Sequence, residues 1–176
     1  AFHVQAGFIE SIGLRIDRLQ PSELECTSRE RQFIEALIAF HGCFQAVLRE
    51  QGLQTFNAAF QQLGGRLTAA DGVPPASLEA FQHLLIDEFQ DISPQIVQWL
   101  QALHRQLARQ GSSPSLMAIG DDWQSIYGWR GSSPELFMDF DRHFPRRGAK
   151  GSETLLLETN YRSIEPVIRD GEAVLA

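Results

Sequence analysis

After residue 80 the chain becomes a series of short apolar runs separated by amphipathic stretches, and this alternation restricts the fold more than any other feature. Leu84-Leu85-Ile86, residues 116–119 and residues 154–157 are each continuous and short, as strands buried on both faces are. Between the first two, Ser93 and Pro94 open a predicted helix with Ile96, Trp99 or Leu100, Leu103 and Leu107 on one face, ending at Gly111. Between the last two, Ser133-Pro134-Glu135 opens a helix expected to run through Phe137 and Phe140 towards Pro145. Strand, helix, strand, helix, strand implies an α/β fold: a parallel sheet with right-handed crossovers and flanking helices.

The first 80 residues read as a helical segment. Thr27 and Glu30 form a T-x-x-E capping box, in which hydroxyl and carboxylate satisfy free backbone N–H groups of the first turn. Phe33, Leu37, Phe40, Phe44 and Val47 then recur at helical spacing, up to an end near Gly52. A second amphipathic stretch carries Phe56, Phe60 and Leu63 until Gly64-Gly65 is expected to interrupt it. These phenylalanines are expected in the core. Residues 71–77, 110–115 and 145–153 read as loops. The chain opens on Ala1, and its apolar-patterned last stretch, 167–176, stops without a cap, so a piece of a longer protein is expected.

Composition narrows the class. A net charge of −7, with 6 basic and 9 acidic residues up to residue 80 and 9 and 13 after it, excludes coating of nucleic acid by bulk charge. Nucleic-acid contact must then be local, made by aromatic rings and a few arginines. Cys26 and Cys43 lack zinc-pair spacing and read as reduced, partly buried thiols of a cytosolic protein. No stretch approaches the roughly 20 apolar residues of a membrane span.

In parallel α/β sheets, ligands bind at the carboxyl ends of strands, and each predicted strand ends in polar residues. The first delivers Asp87-Glu88-Phe89-Gln90-Asp91. Two adjacent carboxylates there suit magnesium binding and polarisation of an attacking water, although acids also cap following helices, as Asp91 is expected to do. The second delivers Gly120-Asp121-Asp122-Trp123-Gln124-Ser125-Ile126-Tyr127-Gly128-Trp129-Arg130-Gly131. Aromatic rings beside an arginine on glycine-hinged backbone suit unpaired bases, and a loop folded back on Trp129 as a core anchor is the other reading. The third ends in Leu157-Glu158-Thr159-Asn160-Tyr161-Arg162-Ser163, where Arg162 offers phosphate a permanently charged fork.

DEFQD, GDDWQSIYGWRG and LETNYRS, in this order and spacing, resemble motifs II, III and IV of UvrD/Rep-type superfamily one DNA helicases. The likeness spans residues 84–163 and implies a partial RecA-like parallel sheet preceded by a helical segment. In its terms residues 1–80 resemble the inserted 1B subdomain and its return to the sheet. The same likeness implies that residues 81–160 are part of motor domain 1A, and that 161–176 are the start of the second motor domain or a truncated linker helix. The resemblance implies that Asp87 coordinates Mg2+, largely through water, and that Glu88 is the general base towards the γ-phosphate of ATP. Gln124 would contact that phosphate and couple it to DNA, and Arg162 would approach it as an arginine finger. Tyr127, Trp129 and Arg130 would line the track of single-stranded DNA or a DNA junction, with Trp129 stacking on a base. Gln90 and Asp91 are expected to link the two sites rather than to do chemistry.

Departures from the family pattern carry as much weight. The phosphate-cradling G-x-x-x-x-G-K-[ST] loop is absent: Gly42, Gly52 and Gly64-Gly65 lack a following Lys-Ser or Lys-Thr, and Lys150, the one lysine, has a different context. The adenine-recognition segment and the later helicase motifs are missing too. Trp123 stands where the family more often has Asp or Glu, a variation similar to the helicase IV branch, and core packing is its expected role. The expected function is therefore that of an ATP-dependent DNA helicase in a longer parent, with these residues inactive alone. Two other classes remain open: a helicase-like binding or regulatory module without ATPase, and a metal-dependent hydrolase using Asp87, Glu88, Asp121 and Asp122.

Overall fold

The computed structural model describes residues 2–145 and 151–175, which fall into two compact units, one up to Pro145 and one from residue 146 onwards. The predicted loop at 145–153, with Lys150, lies largely outside the described residues. No helix among them is long and apolar enough to cross a membrane.

The first unit opens with a helix that sequence patterning missed, α1 (Phe2–Ser11). Helix α2 (Ser28–Glu50) begins at the predicted capping box: Thr27 Oγ1 accepts from Glu30 N at 3.3 Å, and Glu30 Oε2 accepts from Thr27 N at 2.8 Å. The two helices bury Ala6, Ile16 and Leu37 between them. Phe2 stacks on Phe33 and Phe40, with ring centres 5.2 and 5.6 Å apart. The phenylalanine stripe is thus only partly core. Leu37 alone of the α2 stripe is buried, and Phe33 and Val47 stay exposed at the edge of the contact. Both cysteines are free thiols, Cys43 exposed and Cys26 half-buried.

Helix α3 (Phe56–Thr68) does not stop at Gly64-Gly65 as expected. Two interior glycines cost roughly 1 kcal/mol each against alanine, but Leu67, one turn further on, is fully buried against Leu78, Ala102, Leu103 and Leu107. That burial offsets the cost. The short α4 (Pro75–Leu78) follows, and then β1 (His83–Ile86).

Strand β1, helix α5 (Pro94–Arg109) and strand β2 (Ser115–Ala118) form the predicted parallel unit. His83 pairs with Ser115 and Ile86 with Ala118, and Ile119 N donates to Ile86 O at 2.8 Å just beyond the strands. Helix α5 starts at Pro94 and ends before Gly111, whose φ of 84° suits a left-handed stop. Its apolar side joins both remaining cores. Leu103 and Leu107 meet Leu67 of α3, whereas Val97 and Leu100 meet Phe89, Ile92 and Leu136.

Three expectations about the sheet fail. The strands are not buried on both faces: Leu84 and Ile86 pack on the cores, while Leu85 is 70% exposed and Met117 is also open. The apolar run at 154–157 forms no strand, and Leu155, Leu156 and Leu157 are exposed in the second unit. A strand needs a neighbour for its N–H and C=O groups, and the one sheet among the described residues has two strands. The helix expected up to Pro145 is instead two single turns, α6 (Glu135–Met138) and α7 (Phe140–His143), broken at Asp139. The break lets Phe137, Phe140 and Phe144 all turn onto Phe89, with ring centres 6.1, 5.7 and 6.5 Å away. The second unit ends in α8 (Glu165–Leu175).

Candidate nucleotide-coupling and nucleic-acid site

Asp87 and Glu88 leave β1 exposed at its carboxyl end. Glu88 has φ 52° and ψ 43°, the one non-glycine residue with positive φ among the described residues. A bulky side chain is disfavoured there, and such strain persists only where the surroundings hold it. Here the Asp87 carboxylate accepts the Glu88 N–H at 3.0 Å, and Phe89 N donates to Ile119 O at 2.9 Å. Phe89 itself is wholly buried, so the turn that carries the two acids is pinned from below.

Gln90 follows, 1% exposed. Its Nε2 donates to Glu88 Oε2 at 2.6 Å, and its Oε1 accepts from Asp121 N at 3.1 Å. Asp121 begins the turn that leaves β2, and its carboxylate accepts from Trp123 N at 3.1 Å and from Gln124 Nε2 at 2.7 Å. A continuous chain of hydrogen bonds thus runs Glu88, Gln90, Asp121, Gln124, across the carboxyl ends of two adjacent parallel strands. Asp87, Glu88 and Gln124 share that end of the sheet.

The loop beyond Gln124 is laced to the same turn. Ser125 Oγ donates to Gln90 O at 3.3 Å, Ser132 Oγ to Asp91 O at 2.8 Å, and Ser133 N to Ile92 O at 3.3 Å. Gly131, buried with φ 91°, abuts Ser11 at the end of α1. Between these anchors the loop presents Tyr127, Trp129 and Arg130. The Arg130 guanidinium lies 5.3 Å from the Tyr127 ring centre and 5.8 Å from that of Trp129, and the two rings are 6.4 Å apart. Trp129 is 71% exposed, which excludes the core-anchor reading for its ring. Trp123 is equally open, so its expected core packing is wrong: the 3₁₀ turn at Asp122–Gln124 points it away from the cores.

Arg162 belongs to the second unit, where it is exposed and where Asn160 Oδ1 accepts from the N–H groups of Arg162 and Ser163 at 2.9 and 2.8 Å. In the first unit, the Ser133 hydroxyl, 2.5 Å from Glu135 Oε2, holds that carboxyl below its ordinary range. Among the described residues no three His, Cys, Asp or Glu side chains gather into a metal-holding group. An exposed Asp87 still fits magnesium of the kind that one carboxylate and substrate phosphates share. Sequence reasoning missed the roles of Gly120, Ser125 and Ser132; only Gly120, a glycine between a strand and its acids, left a local trace.

Residues 12–145 match the UvrD/REP helicase N-terminal domain. The chain belongs to the UvrD/REP helicase family. It is 38% identical over 97 residues to DNA helicase II of Escherichia coli strain K12, a match covering 55% of this chain and 12% of that protein. It is 40% identical over 85 residues to DNA helicase IV of the same organism, covering 48% and 11%. A longer match, 26% over 159 residues, joins 90% of the chain to 20% of the ATP-dependent DNA helicase PcrA of Leuconostoc citreum. The chain thus spans about an eighth of the length of DNA helicase II.

Proposed function

We propose that this chain is part of the motor core of an ATP-dependent DNA helicase that moves along single-stranded DNA and separates strands. The observation that carries the reading is the hydrogen-bonded chain from Glu88 to Gln124, followed by a loop that sets half-buried Tyr127 beside exposed Trp129 and Arg130. One end carries acids suited to hydrolysis, and the other carries π faces suited to bases. In this reading residues 81–160 are a RecA-like motor portion, residues 1–80 a helical insertion, and 161–176 the entry to a second motor domain.

Asp87 would hold magnesium through water, and magnesium bound with ATP supplies positive charge at the phosphate oxygens. Glu88 takes the proton of the attacking water, and its fixed backbone keeps the carboxylate aimed. Gln124 offers an amide to the γ-phosphate, and Arg162 is the proposed arginine finger. Stacking on Trp129, with Arg130 and Tyr127 beside it, holds a base without reading its sequence.

The test is Glu88→Gln in the full-length protein. Hydrolysis of ATP stimulated by single-stranded DNA should fall by about 10²–10⁴-fold, the share a general base supplies, with DNA affinity kept. Undiminished turnover sinks the assignment of the base.

A further inference from the structure

Gln90 is a buried polar side chain between two functional segments, and its geometry is more demanding than structural filling requires. Three of its atoms make separate bonds: Nε2 to Glu88 Oε2, Oε1 from Asp121 N, and the backbone oxygen from Ser125 Oγ. The amide has a single workable orientation. Turned over, it would set its NH2 against the Asp121 N–H and its oxygen against the Glu88 carboxylate, two like-with-like contacts. A Cβ at Gly120 would lie 2.5 Å from Gln90 Oε1 and 3.3 Å from the backbone nitrogens of Phe89 and Gln90, so a bare backbone there is what admits the amide. A buried amide costs stability unless paired at both ends. An apolar side chain beside Phe89 would satisfy packing alone; this one spends both ends of its amide on the acid and on the turn that ends in Gln124.

We propose that Gln90 is a positioning residue which makes the Glu88 carboxylate and the turn at 121–124 one rigid unit, so that displacement of Gln124 re-aims the base. The proposal rests on Glu88 being that base. It predicts that contact at Gln124 and hydrolysis at Glu88 are coupled through a side chain that touches neither nucleotide nor DNA.

Gln90→Glu in the full-length protein separates this from a structural role. The new carboxyl keeps an acceptor for Asp121 N but loses the donor to Glu88 and turns a like charge towards its carboxylate. Its kcat should therefore fall by roughly 10- to 10²-fold, because the base is no longer held in place. KM for ATP should stay within about 2-fold, since a general-base step is made only in the transition state. Gly120→Ala reaches the same link without altering a polar group, by displacing the amide. Its kcat should fall by up to about 10²-fold, the scale of a 1 Å misplacement, with single-strand affinity and KM unchanged. A wild-type kcat in folded Gln90→Glu or in Gly120→Ala, or a KM that rises in step with the loss of kcat, overturns the proposal. Glu88→Gln run beside them keeps the readings apart: if it retains activity the base itself is misassigned, whereas if it is dead and the Gln90 and Gly120 variants are normal, only the coupling fails.

Discussion

The guanidinium of Arg130 lies 5.8 Å from the centre of the Trp129 ring, and both side chains are exposed. A ring held by a neighbouring cation yet open to solvent contributes little to the fold and much to a stacked ligand. Trp129→Ala should therefore melt close to the parent chain. In the full-length protein it should weaken single-stranded DNA binding by about 1–3 kcal/mol, the usual worth of one stacked base. Trp129→Phe should keep most of the affinity. Thermal melting beside a DNA titration checks both, and a large fall in melting temperature for the Ala variant would contradict the exposed placement.

Gly131 fixes the other end of the same loop. Its φ is 91°, and a Cβ added there would run into Ser11 Oγ at the end of α1. Alanine must pay the left-handed penalty of roughly 1–2 kcal/mol as well as displace Ser11. Gly131→Ala should lower the unfolding free energy by about 1–3 kcal/mol in urea titrations. Gly128, whose added Cβ would meet nothing within 4 Å, is the control and should lose under about 1 kcal/mol.

The 176 residues contain no G-x-x-x-x-G-K-[ST] loop, the segment whose backbone amides and lysine grip the β- and γ-phosphates. The isolated chain should accordingly show no ATP hydrolysis above buffer, with or without single-stranded DNA. A coupled phosphate-release assay decides it. DNA-stimulated turnover that disappears in Glu88→Gln would mean that these residues assemble a phosphate site of another kind.

What could be read ahead of the structure was what is local. The Thr27 and Glu30 capping box, the start of α5 at Pro94 and the β1–α5–β2 order all rest on residues a few positions apart. Failures came where distant residues decide. Helix α1 has no capping signal, and its buried Glu10 is held by Asn57 and His41, on helices 47 and 31 residues away. Gly64-Gly65 reads as a break, but Leu67 is buried against α5, and that contact lies outside any local window. The acids and aromatics of the site were legible as motifs. The path joining them was not, because the Gln90 bond to Asp121 spans 31 residues and depends on strand register.

His104 gives the fold a pH dependence of predictable sign. It lies on α5 beside Phe144, with ring centres 6.4 Å apart, and its Nε2 is buried without a hydrogen-bond partner. Burial penalises the imidazolium and holds the pKa below the ordinary 6.5. The unfolded chain therefore binds a proton at His104 more readily than the folded one does, and stability rises with pH in that window. The contribution is fully present above about pH 6.5 and is lost as pH falls from there towards the depressed folded value. His104→Leu keeps an apolar contact for Phe144 and removes the titration. Its melting temperature should fall less than the parent's between pH 7.5 and 5.5, and the two should differ least in their response above pH 7. Parallel melting curves across the whole range would show that His104 titrates alike in both states, and that its environment is wetter than the packing against Phe144 implies.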